Sequence, residues 1–242
     1  MVSSAVKKYA ALCMVCLCSS LFFLGLYQFN NKYSQNTIQA ANGILALSEE
    51  ELQKTPVRFL VSGWAFYPDA LLTPEEIQDE SHYMRYLSIG EQTNFSSPAN
   101  PSPYGCGTYQ MTFFLPERKE TYALEIPEVF SAYNLYLDHD LILQMGEPAQ
   151  GTPLVQNRMV TFHGGKPVTL TIAVSNYDHF YGGIVYPPAF GTINTTRGIR
   201  FAFCLFSCTV TFVCALLSFY FSRRMKQKNT FLFGLICLAM CG

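Results

Sequence analysis

The segment from Asn176 to Gly183 holds the densest group of side chains that could bind a ligand. Asparagine and aspartate hydrogen-bond to sugar hydroxyls, aromatic faces stack on pyranose rings, and a glycine pair lets the backbone approach a ligand. The pattern predicts a pocket rim for a sugar-like ligand. A second interpretation stays open, in which the asparagine and the glycines only shape a tight turn after a core strand. The candidate binding residues here are Asn176, Tyr177, His179, Gly182 and Gly183.

Trp64 is the single tryptophan of the chain, and Phe66 and Tyr67 follow it closely. An aromatic ring is a good platform for stacking on a sugar, so Trp64 and Tyr67 join the candidate ligand-binding residues. A large aromatic side chain is also a common anchor of a hydrophobic core, and we favour that role for Trp64.

Metal binding and catalysis find little support in the sequence. His139 lies between Asp138 and Asp140, yet no two histidines have the HxH or HxxxH spacing of metal ligands. Glu125 and Glu128 could pair as glycosidase acids, but Glu125 falls in the middle of a predicted strand and Glu128 follows a proline, which favours ordinary surface charges. No serine lies in a nucleophile elbow, and no glycine run opens a phosphate loop. We therefore predict no catalytic residue, no metal site, no cofactor and no enzymatic activity.

Alternating apolar residues predict the strands that must position these side chains. Apolar and polar residues alternate from Tyr109 to Leu115, which is typical of a half-buried strand over residues 107–116. Further strands are predicted over residues 122–127, 158–162, 168–174 and 184–190, with a hairpin over 132–144 that turns at 138–139. Short strands between turns favour a mainly β fold, an antiparallel β-sandwich or jelly roll. Ser48 and Glu51 have the spacing of a capping box, which predicts a short helix before the strands.

Of the residues in the chain, 50% are hydrophobic and 14% are charged, and the charges are distributed unevenly along it. The acidic residues all lie between Glu49 and Asp178, whereas both flanks carry only basic charge. Residues 9–29 and 201–221 are uncharged, and each is long enough as a helix to cross a bilayer. Residues 229–242 are also uncharged and predict the start of a further, truncated span.

The basic residues beside these stretches predict the orientation of the chain, because cytoplasmic loops carry an excess of lysine and arginine. Lys7 and Lys8 precede the first span, and Arg223 and Arg224 follow the second. The predicted organisation is a cytoplasmic N-terminus over 1–8, a transmembrane helix over 9–29, a stalk over 30–55, an extracytoplasmic β-sandwich sensor domain over 56–192, a transmembrane helix over 200–221, a cytoplasmic loop over 222–228 and part of a further transmembrane helix over 229–242. We thus expect a multi-pass protein of the cell membrane.

The first span could instead be a cleaved signal peptide. Its apolar run is longer than the roughly 7–15 residues of a signal-peptide core, and no clean small-x-small cleavage site follows it. These features favour an uncleaved anchor. Between the apolar flanks Cys106 is the one cysteine, so we expect no internal disulfide in the external domain.

Three predicted strand segments resemble successive strands of the galactose-binding-like jelly roll. They are Gly107 to Pro116, Ser131 to Leu137 and Ala173 to Asn176. The same layout occurs in the sugar-binding domain of family 2 glycoside hydrolases. This chain departs from that pattern at residues 138–139, where Asp-His replaces the usual Asn-Gly type of turn.

The order of segments is similar to that of the bacterial seven-transmembrane receptors with diverse intracellular signalling modules. Gly63 to Tyr67 and Ser175 to Gly183 carry this resemblance within the external domain. It implies a non-enzymatic extracytoplasmic sensor that binds a carbohydrate-like or other small ligand. It also implies an intracellular output domain, commonly a histidine kinase or a diguanylate cyclase, that this chain lacks. The expected partners are that ligand, the lipid bilayer and a second copy of the chain, with no nucleic acid.

Two other classes of function stay open at this point. One is a fragment of a carbohydrate-active ectoenzyme, which turnover of a glycoside by the external domain would reveal. The other is a membrane adaptor whose sandwich binds another protein.

Overall fold

The computed structural model describes residues 4–32, 37–79, 81–90, 95, 102–226 and 228–240. Helix α1 (Ser4–Asn30) comes first. Two packed β-sheets follow, with the short helices α2 (Glu49–Lys54) and α3 (Pro74–Ile77) in their connections, and helices α4 (Ile193–Met225) and α5 (Lys228–Ala239) come last. Between the long helices the chain is mainly β. This confirms the predicted mainly β fold with antiparallel sheets.

The two sheets are built from eleven described strands: β1 (Ile44–Ala46), β2 (Val57–Phe59), β3 (Trp64–Pro68), β4 (Arg85–Leu87), β5 (Gly105–Phe114), β6 (Tyr122–Ile126), β7 (Ala132–Leu137), β8 (Asp140–Met145), β9 (Arg158–Phe162), β10 (Val168–Asn176) and β11 (Ala189–Thr192). The larger sheet has seven strands, in the order β4-β3-β5-β10-β7-β8, with β1 parallel to the end of β5. The smaller sheet has four antiparallel strands, in the order β2-β11-β6-β9.

The core lies between the two sheets and is built from the alternation that the sequence shows. Tyr109, Met111 and Phe113 of β5 point into it and are buried. The facing strand of the smaller sheet contributes Phe190, whose ring stacks on Phe113 at 5.4 Å between centroids. Large aromatic side chains thus fill the space between the sheets and hold them together.

The predicted strands agree closely with those of the structure, with one exception. The strand predicted over 184–190 is instead β11, Ala189–Thr192, and residues 184–188 form a connection. Pro187 and Pro188 explain the difference, because proline has no N–H to donate to a neighbouring strand.

The predicted stalk over 30–55 needs correction, because much of it is part of the sandwich. β1 pairs with β5, and helix α2 (Glu49–Lys54) follows with the predicted Ser48 capping box. Leu45, Leu47 and Leu52 are buried in the core. Their burial secures this segment to the sheets.

Helix α4 begins directly at the end of β11. Thr192 is its N-cap residue, and its side chain accepts a hydrogen bond from the backbone of Thr195. Among the described helices, α4 is long and apolar enough to cross a membrane. Shorter apolar stretches are Cys16–Gly25 within α1 and the whole of α5. α5 packs back against α4, with Gly234 against the ring of Phe219.

We name one end of the sandwich the tether end and define it by the strands that begin or finish there. The strands that finish there are β2, β3, β6, β8 and β10, and those that begin there are β5, β7, β9 and β11. Its connections include residues 127–131, 146–157 and 177–188. Lys32, two residues after α1, lies at this end, with its Nζ 5.7 Å from the ring centroid of Phe59.

Candidate ligand-binding site

The buried side chain of Asn176 hydrogen-bonds to the backbone at the start of the β10–β11 connection. Its side chain is fully buried, and its Nδ2 donates to the carbonyl oxygens of Pro103 at 2.7 Å and His179 at 2.6 Å. Its Oδ1 accepts from the backbone N–H of His179 at 3.0 Å. All of these bonds hold backbone, so Asn176 shapes the turn, and its side chain is not offered to a ligand.

Gly182 and Gly183 are buried beneath the same turn. A Cβ on Gly182 would collide with the carbonyl of Pro103, and one on Gly183 would collide with the hydroxyl of Tyr109. The backbone N–H of Gly183 donates to Ser131 Oγ at 3.1 Å. The glycines therefore allow a close approach of chain to chain.

Trp64 is 0% exposed, so it occupies the core position that we favour from its sequence. Its Nε1–H donates to the carbonyl oxygen of Leu60 at 3.0 Å, and its ring meets Tyr109 edge to face at 6.3 Å. This buried, hydrogen-bonded indole has no face for stacking on a ligand.

Tyr67 and Tyr177 belong to the outer face of the larger sheet. Tyr67 is half-buried and pairs with Thr108 of β5, two residues beyond Cys106. Tyr177 is 49% exposed, packs against Gly151 and shares a side-chain hydrogen bond with Cys106. Burial raises the pKa of the Cys106 thiol, and a nearby carboxylate raises it further, so the thiol stays protonated and is a poor nucleophile.

His179 lies in a group of contacting aromatic side chains that could not be recognised as a group from the sequence. Its ring stacks on Phe130 at 4.7 Å with an interplanar angle of 9°. Its Nδ1 accepts from the backbone N–H of Tyr181 at 3.0 Å, which leaves Nε2 as the donor. We name the group of Phe130, His179, Phe180, Tyr181 and Tyr186 the aromatic cluster.

A cavity of about 150 Å³ lies between the outer face of the smaller sheet and α4. Its walls come from three parts of the chain: Lys32 after α1, the smaller sheet with its connections, and Phe203 on α4. Glu125 and Glu128, the two acids considered above as a glycosidase pair, both line it. The cavity is thus placed where the sandwich meets both of its helical connections.

The seven candidate residues do not form one pocket. Trp64, Asn176 and the glycine pair are structural, Tyr67 and Tyr177 lie on the outer face of the larger sheet, and His179 lies in the aromatic cluster. Among the residues that the structure describes, no three histidine, cysteine or acidic side chains gather as metal ligands do. His139 instead contacts Glu75 at 3.0 Å.

Replacing Asn176 with alanine is expected to lower the melting temperature of the chain in detergent by roughly 5 °C or more. The three lost hydrogen bonds would leave backbone groups of a buried turn unpaired, at about 1–3 kcal/mol for each unsatisfied group. Thermal unfolding followed by the fluorescence of the buried Trp64 measures the change. Asp178→Ala is the matched control, since this exposed neighbour should shift the midpoint little. Equal shifts for the two variants would contradict the structural role of Asn176.

No family model and no curated protein matches the chain. Several solved structures are similar to part of it. A GH2 beta-galacturonidase from Eisenbergiella tayi, in a structure with galacturonate bound, is 14% identical, with 55% of this chain and 24% of that chain covered and a TM-score of 0.40. A beta-glucuronidase from Faecalibacterium prausnitzii is 17% identical, with 57% and 32% covered and a TM-score of 0.39. A glycosyl hydrolase family 2 member from Bacteroides cellulosilyticus is 12% identical, with 57% and 20% covered and a TM-score of 0.45.

Proposed function

We propose that this chain is a membrane-anchored extracytoplasmic sensor module. Its sandwich, a jelly roll of the galactose-binding-like type, binds a small ligand of carbohydrate-like chemistry. The helices on either side carry the effect of binding across the membrane to an intracellular output domain. This domain would be of the kind found in the bacterial receptor family that the chain resembles.

The observation that carries the proposal is the direct joining of β11 to α4. Thr192 ends the strand and caps the helix, so no flexible linker separates them. The N–H of Ile193 donates to the carbonyl of Thr121 at 3.0 Å, and Thr195 Oγ1 donates to that of Pro56 at 3.3 Å. A displacement of the smaller sheet is therefore passed to the start of α4.

The chain that arrives from α1 is fastened to the same sheet at β2. Gln39 donates from Nε2 to the carbonyl of Phe59 at 3.2 Å and accepts from the backbone N–H groups of Val61 and Ser62. Arg58 donates to the carbonyl of Ile38 at 3.3 Å. Because β2 also pairs with β11, one strand links the two helical connections. A ligand that favours one position of this strand would shift both.

We place the ligand site on the outer face of the larger sheet, at Tyr67 and Tyr177. Both are aromatic, and both are at least partly accessible. Cys106 lies between them, as a protonated thiol that can donate weakly. The other candidate residues contribute by fixing the backbone around this face.

We further propose that α1, α4 and α5 all enter the membrane, with the sandwich outside. α1 has 27 residues and α4 has 33, each more than the roughly 20 needed to span. Arg223 and Arg224 in the last turn of α4 would face the cytoplasm.

This topology predicts which side of the membrane each residue faces. In a variant without native cysteines, Met225→Cys should react with a membrane-impermeant maleimide only after the cells are permeabilised. Lys166→Cys, on the sandwich, should react in intact cells. Both positions are exposed, so access and not burial decides the labelling. Labelling of Met225→Cys but not Lys166→Cys in intact cells would overturn the orientation.

A further inference from the structure

The aromatic cluster is unusually open to solvent for such large side chains. Phe180 is 74% exposed, Tyr181 41% and Tyr186 37%. The rings contact one another in a continuous set, from Phe180 against Tyr181 at 5.2 Å to Phe130 against Tyr186 at 6.4 Å. A contiguous set of exposed aromatic side chains is typical of a surface that meets a partner.

The cluster lies where the chain leaves α1. Tyr186 and Phe59 both lie under the ammonium group of Lys32, whose Nζ is 6.0 Å from the centroid of Tyr186. Lys32 comes two residues after Asn30, the last residue of α1. The end of the first long helix and the aromatic cluster therefore lie at the same level of the molecule.

The path of α4 places the second long helix at that level too. Its first turn is bonded to the far end of the smaller sheet, through Ile193 and Thr195. Ten residues later Phe203 lines the cavity beside Glu128 and Pro187, which are at the tether end. The helix thus runs down the sheet, and it reaches the level of the aromatic cluster near Phe203.

The remaining part of α4 matches the thickness of a bilayer. Residues 204–222, which end before Arg223, number 19, which at about 1.5 Å per residue gives a length of about 28 Å, close to the roughly 30 Å of the hydrocarbon core. A membrane crossed by this part of the helix has its outer surface near Phe203. The exposed rings then lie at that surface.

We propose that the aromatic cluster is a lipid-binding surface that seats the tether end of the sandwich in the headgroup region of the outer leaflet. Tyrosine rings are enriched at that depth, where an apolar ring meets lipid and a hydroxyl meets water. The phenylalanine rings supply apolar area that can enter the boundary between headgroups and acyl chains. The Lys32 ammonium is placed to meet a lipid phosphate. The inference rests on the proposed membrane topology, and it assigns the cluster to the bilayer and not to the soluble ligand.

Tryptophan fluorescence of the full chain in phosphatidylcholine vesicles tests whether the tether end lies in the headgroup region. In Phe180→Trp the new indole should emit at shorter wavelength, lose most of its intensity to lipids brominated near the headgroup and be protected from aqueous acrylamide. Leu141→Trp is the matched control, because Leu141 is 50% exposed but follows the hairpin turn at the opposite end of the sandwich. It should be quenched by acrylamide and not by brominated lipid. Trp64 is buried and adds the same background to every variant.

The possible results separate the two proposals. If the chain resists alkaline extraction from the vesicles but Phe180→Trp and a second variant, Tyr186→Trp, behave like Leu141→Trp, the lipid-binding surface is refuted and the anchoring stands. If alkali extracts the chain from the vesicles, the membrane anchoring is refuted, and the lipid-binding surface falls with it. Quenching of both variants by brominated lipid, with the control quenched only by acrylamide, supports the surface.

Discussion

Replacing Arg58 with methionine is expected to lower the free energy of unfolding by about 2–6 kcal/mol, because two backbone carbonyls lose a buried donor at about 1–3 kcal/mol each. Arg58 is 1% exposed, although its neighbours on β2 are apolar. Its guanidinium donates to the carbonyls of Ile38, Glu51 and Thr55 at 3.1–3.3 Å. Methionine fills most of the volume but leaves the partly buried carbonyls of Ile38 and Thr55 without this donor, whereas the carbonyl of Glu51 keeps its bond from the N–H of Thr55. The midpoint of thermal unfolding should fall by roughly 10 °C or more.

Arg118→Met is the matched control for this loss. Arg118 is bonded to the carboxylate of Glu49 on the surface of the sandwich, where an ion pair contributes roughly 0–1 kcal/mol. The same chemical change should therefore have a small effect there. Similar midpoints for the two variants would contradict the role of Arg58 as the link between α2, β2 and the chain from α1.

Replacing Gly63 with alanine is expected to cost about 3 kcal/mol or more, through two effects at one position. Gly63 has a φ of +82°, a conformation that favours glycine. A Cβ there would also collide with the carbonyl of Ala40, which is backbone and cannot rotate away. The connection from α1 would have to move off the sandwich. Lower stability and faster proteolysis near residue 40 would report this movement.

Gly43→Ala separates the two effects. Gly43 also has a positive φ, of +75°, but a Cβ there would make only ordinary contacts, such as one of 3.4 Å with the Cβ of Ala65. Its cost should be about 1–2 kcal/mol, from the left-handed conformation alone. If Gly43→Ala proved as harmful as Gly63→Ala, the collision with Ala40 would not be the cause.

The long strands could be predicted from sequence because each is long enough to show the alternation of apolar and polar residues. β9 has the bounds predicted for it, and β10 begins where its alternation begins. β2 has only three residues, too few to show a period, and Arg58 at its centre argues against a core strand. Its burial depends on carbonyls of Ile38 and of α2 that folding brings to it.

Asn176 shows the same limit at the candidate site. Its residue type suits both a ligand-binding rim and a turn. The bond that decides between them joins Nδ2 to the carbonyl of Pro103, 73 residues away in the chain. Phe130 and Tyr186 were not identified for a similar reason, since they belong to separate connections that meet only at the tether end.

Because β11 passes into α4 without a linker, the helix can act as a lever that pivots at Thr192. At about 1.5 Å per residue, its 33 residues extend about 50 Å. A change of about 5° in the angle of the helix would displace the far end, near Met225, by roughly 4 Å, by simple trigonometry on that length. A small movement at the sheet would thus become a larger displacement at the far end of the helix, which the proposed topology places across the membrane. A flexible segment at Thr192 would remove this amplification while leaving the proposed ligand site unchanged.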